Sequence, residues 1–133
     1  MFSGYNLLPF FLVALGGGVG SVLRYAAGLF ITKPAYDLFP WATLSVNLIG
    51  CLLIGIVAAL LPQQIGKTDL LRVLLISGVL GGFTTFSAFS LDSISLLEKG
   101  HLTMAIVYIA ASVAGGILAT LLGLFATRHV GFL

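Results

Sequence analysis

Gly78-Val79-Leu80-Gly81-Gly82-Phe83-Thr84-Thr85-Phe86-Ser87-Ala88-Phe89 lies in the middle of an apolar run that extends from Leu70 to Leu97. Such a run can cross a bilayer, for which about 20 apolar residues suffice. Its centre is nevertheless made of the wrong residues for an uninterrupted helix. Gly81 and Gly82 maximise backbone freedom, and Thr84 and Thr85 are β-branched with hydroxyls that compete for backbone partners. Irregular backbone at membrane depth is tolerated only where protein buries it or where it lines a cavity. The residues therefore predict a span broken at its centre, with unwound carbonyls from Gly81 to Thr85 and a site at the break. Phe86 and Phe89, three residues apart, fall on one helical face just beyond it.

The remaining sequence places this run in a membrane. Of 133 residues, 59% are hydrophobic and only 8% are charged, and the mean hydropathy is +1.18. A soluble domain carries about 25% charged residues. The chain is thus expected to be an all-α integral membrane protein, one transmembrane domain over residues 1–133. Its four spans are expected at about 7–31, 42–61, 70–97 and 102–127. The net charge of +2 and the lack of a basic cluster argue against nucleic-acid binding. One cysteine and two distant histidines offer neither an intrachain disulfide nor a catalytic metal set, so enzyme chemistry is not expected. Cys51, beside Gly50, reads as packing. The N-terminus lacks the basic region of a signal peptide, and three further spans follow it.

In the first span, Gly16 pairs with Gly20 and Gly17 with Ser21 at four-residue spacing, a pattern that lets helices approach closely in lipid. Arg24 lies inside the same span. It either snorkels to the interface or charges a vestibule. Pro40 and Trp41 mark the start of the second span. There Thr43 and Asn47 stack on one face, and Asn47 either staples two helices or lines a polar path. The fourth span carries two stripes. Ala111, Gly115, Ala119 and Gly123 form a seam of small residues. Tyr108, Ser112, Gly116 and Thr120 mix hydroxyls into an apolar helix, as a polar track or as bonds to neighbouring helices.

Four spans put both termini on one side of the membrane. Lys67, Arg72 and Arg128 then face Arg24, Lys33 and Lys99, three against three. The positive-inside rule gives no preferred orientation for such a chain. Insertion both ways allows an antiparallel homodimer, an inverted repeat made of two copies. Sites in inverted-repeat transporters fall near the midplane and use discontinuous helices.

Unwound carbonyls suit a hard cation such as Na⁺, and two symmetry-related breaks would supply about four oxygens. A phenyl ring is positive at its edge, so Phe86 and Phe89 either favour a small anion stripped of water or simply pack a core. Asn47, Ser87, Tyr108 and Ser112 carry polar groups able to replace part of an anion's hydration, with Thr43 on the same face as Asn47.

Three motifs together resemble one family: G-G-x-x-G-x-x-x-R-Y at Gly16–Tyr25, T-x-x-x-N-x-x-G at Thr43–Gly50, and G-G-F-T-T-F-S-x-F at Gly81–Phe89. They look like the bacterial fluoride channels called Fluc or CrcB, and the resemblance covers essentially the whole chain. It implies a dual-topology homodimer in the bacterial cytoplasmic membrane, with two fluoride pores and a central structural Na⁺. By position, Gly81 and Thr84 would lend carbonyls to Na⁺, and Phe86 and Phe89 would be the pore rings. Asn47 would be a pore-lining donor, Arg24 a vestibule charge, and Tyr108 with Ser112 part of the polar track. Two positions depart from the pattern: Ala88, where the family's motif has threonine, and Gly116, where a serine is expected. The rival reading is a small dual-topology, proton-coupled multidrug transporter, for which Asp92 is the candidate carboxylate.

Overall fold

The computed structural model describes residues 6–31, 38–61 and 69–130. Lys33 and Lys67, both part of the charge tally, lie outside the described residues. Among the described residues there are four helical spans: Leu8–Ile31, Trp41–Leu60, Leu70–Glu98 and Leu102–Val130. Each is long and apolar enough to cross a membrane, and their limits fall within a few residues of those expected. Among the described residues every regular element is helical. Much of the apolar surface points outward, including Phe10, Phe11, Leu15, Phe30, Leu91 and Leu122, as lipid-facing helices require.

Lipid tails are as apolar as leucine, so burial of hydrophobic area does not drive these helices together; close backbone packing must. Glycine supplies it. The first span docks on the first half of the third, and the second span docks on the fourth. A Cβ on Gly16 would lie 2.7 Å from the Leu74 carbonyl oxygen and 3.0 Å from Gly78 Cα, and one on Gly82 would lie 2.8 Å from Gly17 Cα. On the other side, a Cβ on Gly123 would come within 2.9 Å of Ile56 N, and one on Gly55 within 3.1 Å of Leu124 N. Both predicted seams are thus packing surfaces. Gly20→Ala is expected to lower the thermal unfolding midpoint in detergent. Its methyl would run into the Val79 carbonyl and sit 2.7 Å from Phe83 N, a clash on the scale of about 1–3 kcal/mol. Gly18→Ala, with nothing within 4 Å, is the control that leaves the midpoint unchanged or raises it.

The third span is not one regular helix. Asp69 caps its start, accepting from Leu71 N at 3.0 Å and Arg72 N at 3.1 Å. Val73–Leu80 is wound in the wider π form, ending where Gly81 N–H reaches back to the Ile76 carbonyl. Gly81–Phe83 is α-helical. Thr84 (φ −79°, ψ 158°) and Thr85 (φ −151°, ψ 113°) are then extended, and Phe86–Glu98 resumes the helix. The break stands at the span's centre, as expected, but it is narrower than expected. Gly81 keeps helical angles (φ −63°, ψ −36°), and the neighbouring glycine serves close packing on the first span. The unwound residues are the two threonines, whose β-branched side chains suit extended backbone. Gly100, at φ 79°, closes the third span in the left-handed conformation that favours glycine and turns the chain into the fourth.

Candidate functional site

A break in hydrocarbon strands backbone groups, and each must find a partner. Thr84 N–H still reaches the Leu80 carbonyl at 3.0 Å, joined by its own Oγ1 at 3.0 Å. Beyond that point the partners come from other spans. Asn47 Oδ1 accepts from Thr85 N at 2.8 Å, and Asn47 Nδ2 donates to Thr85 O at 3.0 Å. One amide side chain therefore replaces both ladder bonds of an extended residue. Arg24 Nη1 donates to Thr84 O at 3.1 Å, and Ser21 Oγ to Gly82 O at 3.4 Å. Thr85 Oγ1 caps the resumed helix by accepting from Ala88 N at 3.2 Å.

These contacts explain two of the motifs. Along the first span, Gly16, Gly17 and Gly20 admit the third span's backbone, and Arg24, one turn on, meets the break itself. Along the second span, Thr43, Asn47 and Gly50 share a face. Thr43 Oγ1 donates to Asp92 Oδ2 at 2.6 Å, Asn47 holds Thr85, and Gly50 leaves room for the Thr84 methyl group. Asn47 thus bonds the second span to the third, and Thr43 makes a second bond between the same spans. Arg24 turns inward to the break.

Beside the break lies a cavity of about 540 Å³ whose lining includes Asn47, Cys51, Phe86, Phe89, Ser112 and Gly116. The two phenyl rings meet with centroids 5.4 Å apart at 46°. Phe89 also packs on Tyr108, centroids 5.5 Å apart, whereas Phe86 is 78% exposed within one chain. Asn47 has committed its oxygen and one N–H to Thr85; its second N–H is free of that pairing. Ser112 Oγ is buried and meets no hydrogen-bond partner in ordinary geometry among the described residues. Ser112 lines the cavity, and its hydroxyl can rotate to donate there.

The other expected site residues sit elsewhere. Ser87 and Ala88 line a second cavity, of about 330 Å³, together with Arg24, Thr43 and Thr85. Ser87 Oγ lies 3.2 Å from Thr85 Oγ1. Tyr108 is fully buried, its hydroxyl donating to Asp92 Oδ2 at 3.4 Å. The polar track therefore divides within one chain: Tyr108 is tied to Asp92, Thr120 Oγ1 bonds the Cys51 and Gly116 carbonyls at 3.0 and 3.1 Å, and Ser112 Oγ has no partner among the described residues. Gly116 has a packing reason, because a Cβ there would press on Cys51 Sγ at 3.3 Å. Asp92 is the residue that sequence reasoning left without a role in this arrangement. It gathers Thr43 and Tyr108 and lines a third cavity, of about 310 Å³, with Trp41, Ser95 and Lys99. A carboxylate inside an apolar helix was the available signal.

Known proteins share this sequence across nearly its whole length. The family described as "CrcB-like protein, Camphor Resistance (CrcB)" matches residues 11–124. A fluoride-specific ion channel FluC of Rhizobium etli is 50% identical over 122 residues, covering 92% of this chain and 98% of the relative. The FluC of Rhizobium meliloti is 50% identical over 117 residues, 88% of this chain and 94% of the relative. One from Flavobacterium psychrophilum is 45% identical over 120 residues, 90% and 97% of the two chains. With the matched region spanning all four helices and the break that Arg24 and Asn47 hold, this chain belongs to the CrcB-like family.

Proposed function

We propose that this protein is a passive, fluoride-selective ion channel and not an enzyme. The observation that carries the proposal is the unpartnered Ser112 hydroxyl in a cavity shared with Asn47 and the Phe86–Phe89 pair. These groups suit a small dehydrated anion: hydroxyl and amide N–H to donate, and ring edges that carry partial positive charge. Relatives at 45–50% identity are named as fluoride-specific channels, and that name favours a channel over the multidrug-transporter reading.

The working unit is an antiparallel homodimer in the cytoplasmic membrane, supported by the even charge tally and by Phe86, whose ring one chain leaves exposed. Each of two pores then draws rings from both copies. The carbonyls at the two breaks would hold a structural Na⁺. The donor set fits such a hard cation. Thr85 N–H has turned to Asn47, so the Gly81 carbonyl loses the amide that a continuous helix would give it. Thr84 O, already bonded to Arg24, keeps a second lone pair. Bound Na⁺ would supply fixed positive charge; Gly81 and Thr84 would hold it, and the anion path itself is formed by side chains.

Acid outside the cell lets HF cross the membrane, after which it dissociates and traps F⁻ inside. A channel lets the negative membrane potential drive F⁻ out, since one charge across 100 mV corresponds to about 2.3 kcal/mol. Conduction also requires that no site hold the ion firmly. Arg24 adds positive charge in the second cavity, the vestibule of this reading, where Thr43 and Ser87 also stand.

The test is efflux from liposomes read with fluoride and chloride electrodes side by side. Wild-type protein should release fluoride and retain chloride. Ser112→Ala should cut the fluoride rate severalfold yet leave unfolding unchanged or slightly harder, because the hydroxyl it removes has no partner among the described residues. Equal chloride release, or release of neither ion, would reject the proposal.

A further inference from the structure

Arg24 is the only charged side chain in the first span, and it is half-buried with its guanidinium on Thr84 O. That oxygen stands at the carboxyl end of the first half of the third span, the negative end of a helix dipole. No helical amide reaches it, because Ala88 N–H is taken by Thr85 Oγ1. The same carbonyl belongs to the donor set just assigned to Na⁺. A tethered cation and a free one are therefore directed to one oxygen.

We propose that Arg24 competes with the bound cation at the break, so that the chain carries its own guanidinium there and thereby sets how tightly a free metal ion is held. The inference rests on the Na⁺ reading above. Two lone pairs let the carbonyl contact both cations, yet like charges a few ångströms apart weaken each other's hold. Ser21 fills a parallel role without charge, donating to Gly82 O. The first span thus satisfies two carbonyls at the break with its own side chains, one neutral and one cationic. With little metal present Arg24 keeps Thr84 O satisfied and the break in shape; with metal present its charge opposes binding. The break is never left as a bare negative helix end.

The experiment is a sodium titration of the purified channel in detergent at constant ionic strength, with N-methylglucamine replacing Na⁺ and the thermal unfolding midpoint as readout. Arg24→Gln keeps a donor for Thr84 O and removes the charge. Its Na⁺-dependent stabilisation should be half complete at a concentration lower by roughly tenfold or more, the scale on which a neighbouring like charge shifts an ionisation equilibrium. Arg24→Lys, which keeps the charge, should stay close to wild type. In ¹⁵N-labelled wild-type protein the Arg24 side-chain N–H resonance should move as Na⁺ is added, with the same midpoint as the thermal curve; this arm needs no variant to fold. An Arg24→Gln midpoint equal to or above the wild-type value, or a wild-type resonance that ignores Na⁺ while the thermal curve responds, overturns the competition and leaves the Na⁺ reading standing. If neither wild-type protein nor variant responds to Na⁺ at all, the metal reading fails and takes this inference with it.

Discussion

Asn47→Asp is expected to abolish fluoride efflux at neutral pH. In the wild-type chain the amide is matched to Thr85 on both sides, Oδ1 accepting from its N–H at 2.8 Å and Nδ2 donating to its carbonyl at 3.0 Å. Aspartate keeps the acceptor and loses the donor, so a carboxylate oxygen would face the Thr85 carbonyl oxygen. The same side chain lines the cavity with Phe86, Phe89 and Ser112, where a fixed negative charge repels the permeant anion. Water cannot screen that repulsion well in an apolar cavity. Lowering the pH should restore part of the flux, because a protonated acid again offers a donor to Thr85 O and no longer repels F⁻. Asn47→Leu is the less informative change. It leaves both Thr85 groups unpaired at about 1–3 kcal/mol each, so lost flux would be confounded with a damaged break. Normal efflux by Asn47→Asp at neutral pH would place Asn47 off the ion path and leave it only the backbone role.

How far the amino-acid sequence reveals this arrangement depends on whether the cause is local. The four spans were legible because length and apolarity are properties of the segment itself. Gly16, Gly17 and Gly20 were legible as packing residues for the same reason: small side chains at four-residue spacing have one main use in lipid. The location of the break within Gly81–Thr85 was not. Gly82 and Thr84 both read as helix-disfavouring, yet one packs against Gly17 in a helix while the other leaves it. What separates them is Arg24, 60 positions from Thr84, and Asn47, 38 positions from Thr85, which replace the missing ladder bonds at those two residues. The π winding of Val73–Leu80 had no signal either, because V-L-L-I-S-G-V-L satisfies any helical form.

The candidate site was legible in its residue types and less so in its grouping. Asn47, Phe86, Phe89 and Ser112 do meet around one cavity. Thr43 and Ser87 belong instead with Arg24, and Tyr108 is drawn to Asp92. Spacing along one helix fixes which side chains share a face, but not what the opposite helix places against it. Asp92 shows the consequence. It falls towards the end of its span, and only the crossing of the second, third and fourth helices makes it the meeting point of Thr43 and Tyr108.

Phe86→Ile is expected to reduce fluoride efflux to the leak of protein-free liposomes while leaving the fold intact. The two halves of that expectation come from different observations. Within one chain the Phe86 ring is 78% exposed and touches Phe89 at a centroid separation of 5.4 Å, so little intrachain packing is lost. Isoleucine keeps the side chain apolar and of comparable bulk, and the unfolding midpoint should move by less than about 1 kcal/mol equivalent. What isoleucine cannot supply is the ring's quadrupole, whose positive edge is the only favourable electrostatics that an apolar group offers a bare anion. Phe89 is a poorer place to ask the question. It packs on Tyr108 in the small buried core, and its loss would disturb that core as well as the cavity. Assembly of Phe86→Ile, checked by size exclusion in detergent, should match wild type, so that a silent electrode trace reports the ion path alone. Wild-type efflux from this variant would remove the phenyl edge from the mechanism and leave Ser112 and Asn47 as the anion's donors.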